Sequence, residues 1–480
     1  MPDSKICLPN TKIVATIGPA TDSPEALESL AHAGMTVARL NTKHADVNWH
    51  QERIKRVRQV SKKIKRPLGV LLDLQGPEIR INLLDEKSFK VKFSDPVTFL
   101  SEKEDPLPNS PMIPQVVIDA LSVGDHILID DGLGEFEVVE KKPHKIITRA
   151  LGNFVVSHRK TLNTPGVNIP LPSMINQDLK HLDAVAKNNN PVDFIGLSFV
   201  RNAHDIKQLK KEMVERGIEA DIIAKIENQS AIDHLDEIIA EADAIMVARG
   251  DLAVEVPFQE LTHWQKVIIT KSRLAAKPVI TATQMLKSMV ENPRPTRAEV
   301  SDVAHAIYDG TDAVMLSEET TIGKFPVEAV AAQASIASFN EPYVQLKPLK
   351  PKHDNFGDYV THAAVELVER SKKEGLKIDK IVALTESGCT AQAISRLRPK
   401  TPIYVLTSNL RTFYKLSLSY GAIPHVIQLP QGNKLESSTK LIEKMKQLEI
   451  VKPGDTIILV HGTFWKEPGL TNTLSILKIR

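Results

Sequence analysis

The chain has 480 residues, 42% of them hydrophobic and 25% charged, which predicts a soluble globular protein of two to four domains. A formal net charge of +2 gives no reason to expect nucleic acid or an anionic membrane as a partner. No apolar run reaches membrane-spanning length and the N-terminus lacks a signal-peptide core, so we expect a cytoplasmic protein. The two cysteines, Cys7 and Cys389, lie far apart, which argues against a disulfide framework.

The first section of the chain alternates strand and helix patterns. Short apolar runs predict strands at 11–17, 37–40 and 69–72, and a helix begins after the first strand, where Ser23 is the cap and Pro24 the first helical residue. From residue 78 to about 165 this alternation is replaced by short β patterns, with a predicted hairpin that turns near residues 131–132. We interpret this segment as an all-β insertion.

After residue 166 the strand–helix alternation resumes. Five more apolar runs predict strands at 193–199, 221–226, 244–247, 278–282 and 313–316. Eight such units predict an α/β protein with a (β/α)8 TIM barrel at 1–77 and 166–339, interrupted by a β-rich lid domain at 78–165. A linker rich in proline and lysine at 340–353 precedes a helix at 356–374 and strands at 381–384, 403–406 and 456–460, which predict an open α/β domain over 340–480.

Charged residues follow two neighbouring strands of the predicted barrel. Lys225 and Glu227 end one apolar run, and Arg249 and Asp251 follow the next. Burying such groups is costly unless they are paired, bind a metal or face a wet pocket. Two carboxylates at adjacent strand ends suit a hard cation such as Mg²⁺, and the lysine suits an anionic substrate. A structural ion pair is the simpler explanation for either strand end alone.

The chain resembles the pyruvate kinase family over nearly its whole length. The resemblance is specific because many motifs occur together in one order: TKIVATIGPAT, GMTVARLN, LLDLQGPEIR, DDGL, GVNIPLP, AKIEN, VARGDL, TATQMLKSM, NPRPTRAEVSDVAHAIYDGTDAVMLSEET and TNTLSIL. It implies the same barrel, lid and C-terminal regulatory domain, and transfer of the phosphoryl group of phosphoenolpyruvate to ADP, which gives pyruvate and ATP. It also implies a homotetramer.

The resemblance assigns roles to residues at the barrel mouth. Glu227 and Asp251 would hold Mg²⁺ or Mn²⁺. The substrate would contact Arg39, Lys225, Ser198, the amides of Gly250 and Asp251, and the Thr283 hydroxyl. Thr283 and a water near Ser317 would form part of the relay that protonates the enolate.

The nucleotide would contact three further residues, His44, Arg80 and the lid residue Asp131. Each has a structural alternative, because His44 would serve equally well as a surface residue at a helix entry and Asp131 as a turn residue. Arg297 lies in a capping box formed by Thr296 and Glu299, so its structural role is as good an explanation as a catalytic one.

The second strand departs from the family pattern. It ends Asn-Thr-Lys-His-Ala at 41–45, where the family has Asn-Phe-Ser-His-Gly. The family binds an activating K⁺ through that serine and through the positions that match Asn41, Asp73 and the Leu74 carbonyl. Because an ammonium is a compact monovalent cation, we hypothesise that Lys43 supplies the charge and makes activity independent of K⁺. The alternative is that Lys43 points to solvent and a weakened K⁺ site survives. Gln75 and Glu318, two further departures from the family pattern, are expected to alter the kinetics.

The predicted C-terminal domain has a loop between a strand and a helix that the family uses for phosphorylated sugar effectors. Its candidate ligands are Thr385, Ser387, Gly388 and Thr390. Glu386 would repel a phosphate, although Lys466, in the segment 461–469, would offset it. An ordinary helix N-cap explains the loop equally well.

Two other functions are compatible with parts of the sequence. One is a different Mg²⁺-dependent barrel enzyme acting on pyruvate or phosphoenolpyruvate, such as an aldolase or lyase, which would not need a lid over a nucleotide. The other is a non-catalytic paralogue that binds phosphoenolpyruvate, suggested by Lys43 and Glu318. The intact set of charged residues at the strand ends argues against this paralogue.

Overall fold

The computed structural model describes residues 8–188, 191–352, 354–428, 434–463 and 471–480. Eight parallel strands form a closed barrel in which each strand pairs with its sequence neighbours and the last pairs with the first. They are β1 (Lys12–Thr16), β2 (Val37–Asn41), β3 (Gly69–Asp73), β4 (Phe194–Leu197), β5 (Asp221–Ile226), β6 (Ala244–Ala248), β7 (Val279–Ala282) and β8 (Ala313–Leu316). The predicted fold class is confirmed.

Helices surround the barrel and bury the outward faces of its strands. The longer ones are Pro24–Ala33, Val47–Lys63, Asn176–Lys187, Ala203–Glu215, Leu261–Ala275, Arg297–Asp309 and Pro326–Asn340. Shorter helices or 3-10 turns lie at Gln229–Asp233, Leu235–Glu241, Arg249–Glu255, Phe258–Glu260, Lys287–Val290, Glu318–Thr321 and Glu341–Tyr343. Ser23 and Thr296 cap their helices as predicted, and Thr296 forms the expected capping box with Glu299.

The barrel strands are buried on both faces, which is why their sequences are continuous apolar runs and do not alternate. Inward-facing side chains such as Val14, Leu71, Ile223 and Met246 fill the interior, and Leu418 of the C-terminal region joins the same cluster. The filled interior leaves the C-terminal strand ends as the place where polar side chains collect.

The inserted segment forms two sheets, which are antiparallel except that Met112–Ile113 runs parallel to Pro96–Ser101. A six-stranded sheet has the order Leu162–Asn163, His126–Ile129, Gly134–Lys142, Lys145–Ala150, Pro96–Ser101 and Met112–Ile113, and a small sheet pairs Phe89–Val91 with Phe154–Val156. Helix Gln115–Ala120 and the 3-10 turn Leu84–Glu86 complete it. The hairpin turns at the predicted place, where Asp130, Asp131 and Gly132 have positive φ angles.

The C-terminal domain is an open five-stranded sheet. Its order is Ala422–Val426, Ile403–Thr407, Lys380–Leu384, Thr456–Gly462 and Thr471–Lys478, and the last strand is antiparallel. Its helices are Phe356–Lys373, Cys389–Ser395, Leu410–Lys415 and Lys434–Gln447, with a 3-10 turn at Leu416–Leu418. The first and last strands were not predicted. Both are edge strands, and Pro424 in one of them weakens its strand pattern.

Two other details differ from the sequence predictions. The strand expected at 193–199 spans only Phe194–Leu197, because Phe199 adopts a positive φ of 54° and turns the chain. The linker expected at 340–353 contains a 3-10 turn at Glu341–Tyr343, and its last residue, His353, lies outside the described residues, as does Cys7. Within the described ranges, no helix is long and apolar enough to cross a membrane.

Candidate active site

Arg39 and Asp73 form a buried ion pair at the mouth of the barrel. They lie on the neighbouring strands β2 and β3, and Arg39 Nε donates to Asp73 Oδ2 at 2.7 Å. A second donor of the guanidinium, Nη1, bonds to Thr16 Oγ1 on β1 at 2.9 Å. Gly196 on β4 makes room for the carboxylate, because a Cβ there would lie 2.7 Å from Asp73 Oδ1.

Lys225 lies at the centre of the charged cluster. Its Nζ is 2.7 Å from Glu227 Oε1, 3.6 Å from Asp73 Oδ1 and 2.7 Å from Ser198 Oγ. Burial by itself lowers the pKa of Lys225, but the carboxylates of Asp73, Glu227 and Asp251 outweigh it, and its pKa is raised. Lys225 is therefore a fixed positive charge in a site with little water.

Glu227 and Asp251 provide carboxylate oxygens suited to a divalent cation. Glu227 Oε2 accepts from the Phe199 amide at 2.7 Å, and its buried Oε1 lies 2.7 Å from the Lys225 ammonium. Burial raises the pKa of Glu227 to about 7 and also raises the pKa of Asp251. Two desolvated acids side by side are the environment that a hard cation stabilises.

The donor set fits Mg²⁺ or Mn²⁺ bound together with substrate. In the described part of the chain, no group of three or more His, Cys, Asp or Glu residues is arranged to hold a metal. Mg²⁺ commonly uses one or two protein carboxylates and takes its remaining ligands from substrate oxygens and water. Glu227 and Asp251 match that pattern, so substrate would complete the coordination.

Thr283 has an unusual backbone conformation next to Asp251. Its φ is 71°, and Gln284 after it has φ 54°. Such angles cost a β-branched residue about 1–3 kcal/mol and persist only where neighbours hold them. Thr283 Oγ1 accepts from the Gly250 amide at 2.8 Å and donates to the Ala282 carbonyl at 2.7 Å. The bond to Gly250 joins two of the predicted substrate-binding residues, and a third, Asp251, follows Gly250 directly in the chain.

The sequence analysis grouped Arg249 with the site charges. In the structure its guanidinium is paired with Asp302, at 2.6 and 2.7 Å. It therefore does not add a free charge to the cluster. Ser317, at the end of β8, donates its backbone N–H to Glu319 at 2.7 Å. Glu318 is exposed and paired with Lys287.

Lys43 is an exposed residue, but its ammonium is paired with a carboxylate near the charged cluster. Its Nζ is 2.6 Å from Glu78 Oε1, and Glu78 Oε2 accepts from Arg80 Nε at 2.8 Å. The Lys43 charge also opposes the rise in the pKa of Asp251. This position differs from the one hypothesised, because the ammonium is paired with Glu78 and not with Asn41, Asp73 and Leu74. Asn41 Oδ1 accepts from the Lys43 backbone amide at 3.2 Å.

The remaining groups of the expected monovalent-cation site have other partners. The Leu74 carbonyl accepts a 2.7 Å hydrogen bond from Ser198 Oγ, and the Asp73 carboxylate is paired with Arg39. The sequence linked Ser198 with substrate, but it did not predict that this hydroxyl connects Lys225 to Leu74. Nor did it single out Thr16, which holds Arg39, although a threonine at the end of β1 is a signal of the same kind.

The predicted nucleotide contacts lie at the edge of the site. His44 is on the whole exposed, but the desolvation of its ring, together with the Lys43 and Arg39 charges, lowers its pKa. Asp131 is on the hairpin tip of the lid, where its Oδ1 accepts from Thr161 Oγ1 at 3.1 Å, and its charge contributes to the raised pKa of Asp251. A cavity of about 330 Å³ separates the lid from the barrel beside Asp251 and Glu78.

In the candidate effector loop, Glu386 is hydrogen-bonded to Ser408 after the neighbouring strand. Its carboxylate accepts from the Ser408 amide at 3.0 Å and from Ser408 Oγ at 2.7 Å. Within the loop, the Gly388 amide donates a hydrogen bond to Thr385 Oγ1. Thr390 Oγ1 lies 2.6 Å from Thr471 Oγ1. The other two loop positions considered are Ser387, which is near the surface, and Lys466, which lies outside the described residues.

Comparison with known proteins identifies the family of this chain. A family model described as pyruvate kinase, barrel domain, matches residues 8–330, and one described as pyruvate kinase, alpha/beta domain, matches residues 358–477. A pyruvate kinase of Bacillus licheniformis is 40% identical over 97% of this chain and 80% of its own length. One from Thermotoga maritima is 36% identical over 98% of this chain and 99% of its own length. The chain therefore belongs to the pyruvate kinase family.

Proposed function

We propose that this chain transfers the phosphoryl group of phosphoenolpyruvate to ADP and so forms pyruvate and ATP. The observation that carries the proposal is the buried Lys225 ammonium held between Glu227 and Asp73, beside Arg39. Phosphoryl transfer requires charge to be held and oriented more than it requires covalent chemistry by the protein. A preorganised cluster of this kind stabilises the charge that develops during transfer.

Each group has a distinct role in the proposed reaction. Lys225 faces the transferring phosphoryl group and the developing enolate oxygen, and Arg39 contacts the same phosphate, for which its planar fork is suited. Thr283 and the amides of Gly250 and Asp251 orient the substrate carboxylate. Protonation of the enolate is assigned to Thr283 with a water near Ser317.

Glu227 and Asp251 would hold Mg²⁺ or Mn²⁺, which when bound neutralises substrate phosphate and carboxylate charge. The nucleotide is assigned to His44, Arg80 and Asp131. Closure of the lid over these residues would exclude water and limit hydrolysis of the phosphoryl group.

The proposed reaction is independent of K⁺ because of Lys43. Support comes from the 2.6 Å pair between Lys43 Nζ and Glu78, which also pairs with Arg80, and from the Lys43 charge, which opposes the rise in the pKa of Asp251. Asn41, Asp73 and the Leu74 carbonyl remain the alternative site for K⁺ itself.

The non-catalytic alternative has little support. Its two motives were Lys43 and Glu318, but Lys43 is paired with Glu78, and Glu318 is paired with Lys287 at the surface. We further propose a homotetramer, which light scattering after size exclusion would test.

A phosphorylated sugar is proposed at Thr385, Ser387, Gly388 and Thr390, and a thermal shift with a panel of sugar phosphates would test it. The absence of any shift would favour the N-cap explanation.

The decisive experiment is pyruvate formation from phosphoenolpyruvate, ADP and Mg²⁺ in tetramethylammonium buffer, before and after addition of K⁺. Equal turnover in both buffers supports the kinase and the Lys43 proposal, whereas turnover with K⁺ alone supports the kinase and rejects Lys43. Absence of turnover in both rejects catalysis. Lys43→Ser should acquire K⁺ dependence, while the matched surface variant Lys287→Ser should behave like the wild type.

A further inference from the structure

The turn after β7 is held in its unusual conformation by one side chain. Thr283 and Gln284 both have φ angles in the left-handed region, and the two carbonyls before and at the turn point toward Arg249. Arg249 Nε donates to the Ala282 carbonyl at 3.1 Å and Nη2 donates to the Thr283 carbonyl at 2.9 Å. Because this strained turn lies beside a charged site and is hydrogen-bonded by Arg249, the geometry indicates a positioning role for Arg249.

Asp302 fixes the guanidinium that makes these bonds. It lies on helix Arg297–Asp309 and accepts from Nη1 and Nη2 of Arg249 at 2.6 and 2.7 Å. The two-point contact sets the plane of the guanidinium, because both partners are planar. A lysine could not replace Arg249, since a single ammonium lacks a rigid fork that reaches a carboxylate and two carbonyls together.

The position of Arg249 in the chain extends this control to a second group. Gly250 and Asp251 follow it directly, and the Gly250 amide donates to Thr283 Oγ1 at 2.8 Å. Asp251 lies two residues after Arg249 in the chain, and the Arg249 side chain donates hydrogen bonds to the turn that contains Thr283. Arg249 therefore connects the backbone that leads to Asp251 with the turn that contains Thr283.

We propose that Arg249 and Asp302 are positioning residues that keep Thr283 and the Gly250–Asp251 amides in register for the carboxylate of the substrate. The inference rests on the proposed function. Neither side chain is assigned contact with the reacting atoms. Displacement of the carboxylate cradle by a fraction of an ångström should weaken phosphoenolpyruvate binding and misalign it, while leaving unchanged the proposed nucleotide contacts at His44 and Arg80, which lie on other segments of the chain.

The test compares three substitutions by steady-state kinetics with each substrate varied separately. Asp302→Asn should raise KM for phosphoenolpyruvate about 10-fold and change KM for ADP less than about 2-fold. Arg249→Lys should lower kcat/KM for phosphoenolpyruvate about 100-fold, and Asp302→Glu should recover part of the Asp302→Asn loss. Equal effects on both substrates, or none, would overturn the proposal.

A matched control separates positioning from loss of stability. Arg58 and Asp193 form another arginine–aspartate pair, at 2.8 Å, at the start of β4, where the Asp193 side chain is 4% exposed against 35% for Asp302. Asp193→Asn should lower the unfolding temperature at least as much as Asp302→Asn and leave both KM values unchanged. If wild-type turnover is itself absent, the proposed function fails. If turnover is normal but Asp193→Asn reproduces the change in KM, only the positioning role fails.

Discussion

The buried histidine pair beneath the His44 segment should contribute a loss of stability in mild acid. His181 lies on helix Asn176–Lys187, is 1% exposed and packs edge-on against His50 with ring centroids 5.1 Å apart. Nε2 of His50 lies 2.8 Å from the His44 carbonyl oxygen, which favours the tautomer that donates there. Burial, together with the neighbouring His50, lowers the pKa of His181 to about 4.

The direction of the change in stability follows from the number of protons that the folded and unfolded chains bind. Between pH 6.5, the ordinary pKa, and the folded value of about 4, the unfolded chain binds more protons than the folded chain. Stability contributed by neutral His181 is therefore fully present above pH 6.5 and declines as the pH falls through this window. From pH 7.5 to 5.5, the lowered pKa corresponds to a loss of about 1.3 kcal/mol in the free energy of unfolding.

The assay is the unfolding temperature across pH 5.5–7.5 for the wild type and for His181→Phe, which keeps a ring but cannot titrate. The variant should show a smaller decline with acid by an amount equivalent to about 1.3 kcal/mol. His204→Gln, which changes an exposed ring, should keep the wild-type slope. Identical slopes for wild type and His181→Phe would refute the reasoning.

Three further predictions concern the site and the lid. Lys225→Met should lower kcat at least about 1,000-fold with little change in fold, measured by a coupled pyruvate assay and circular dichroism, and near-normal turnover would remove Lys225 from the mechanism. Gly196→Ala should lower kcat about 10-fold or more, because its Cβ would meet Asp73 Oδ1 at 2.7 Å, and unchanged kinetics would show that Asp73 can move freely. Asn163→Ala removes the 2.9 Å hydrogen bond from the lid to Glu255 Oε1 and should speed amide exchange in the lid about 5-fold, whereas unaltered exchange would exclude this contact as a lid restraint.

Much of the fold could be predicted from local patterns. The eight apolar runs predicted the barrel strands because strands buried on both faces cannot contain solvated residues. Lys225, Glu227 and Asp251 stood out for the same reason, since charges at the end of a buried strand need a partner or a ligand. The edge strands Ala422–Val426 and Thr471–Lys478 were missed, because edge strands are only partly buried and their patterns are weak.

The sequence by itself determined which residues reach the barrel mouth, because strand order and strand ends follow from local apolar periodicity. Only the tertiary structure decided how those residues pair. It joined Arg249 to Asp302, 53 positions away, and Lys43 to Glu78, and it imposed the left-handed conformation of Thr283. Such choices depend on distances of a few tenths of an ångström between segments far apart in the chain, and no local pattern records them.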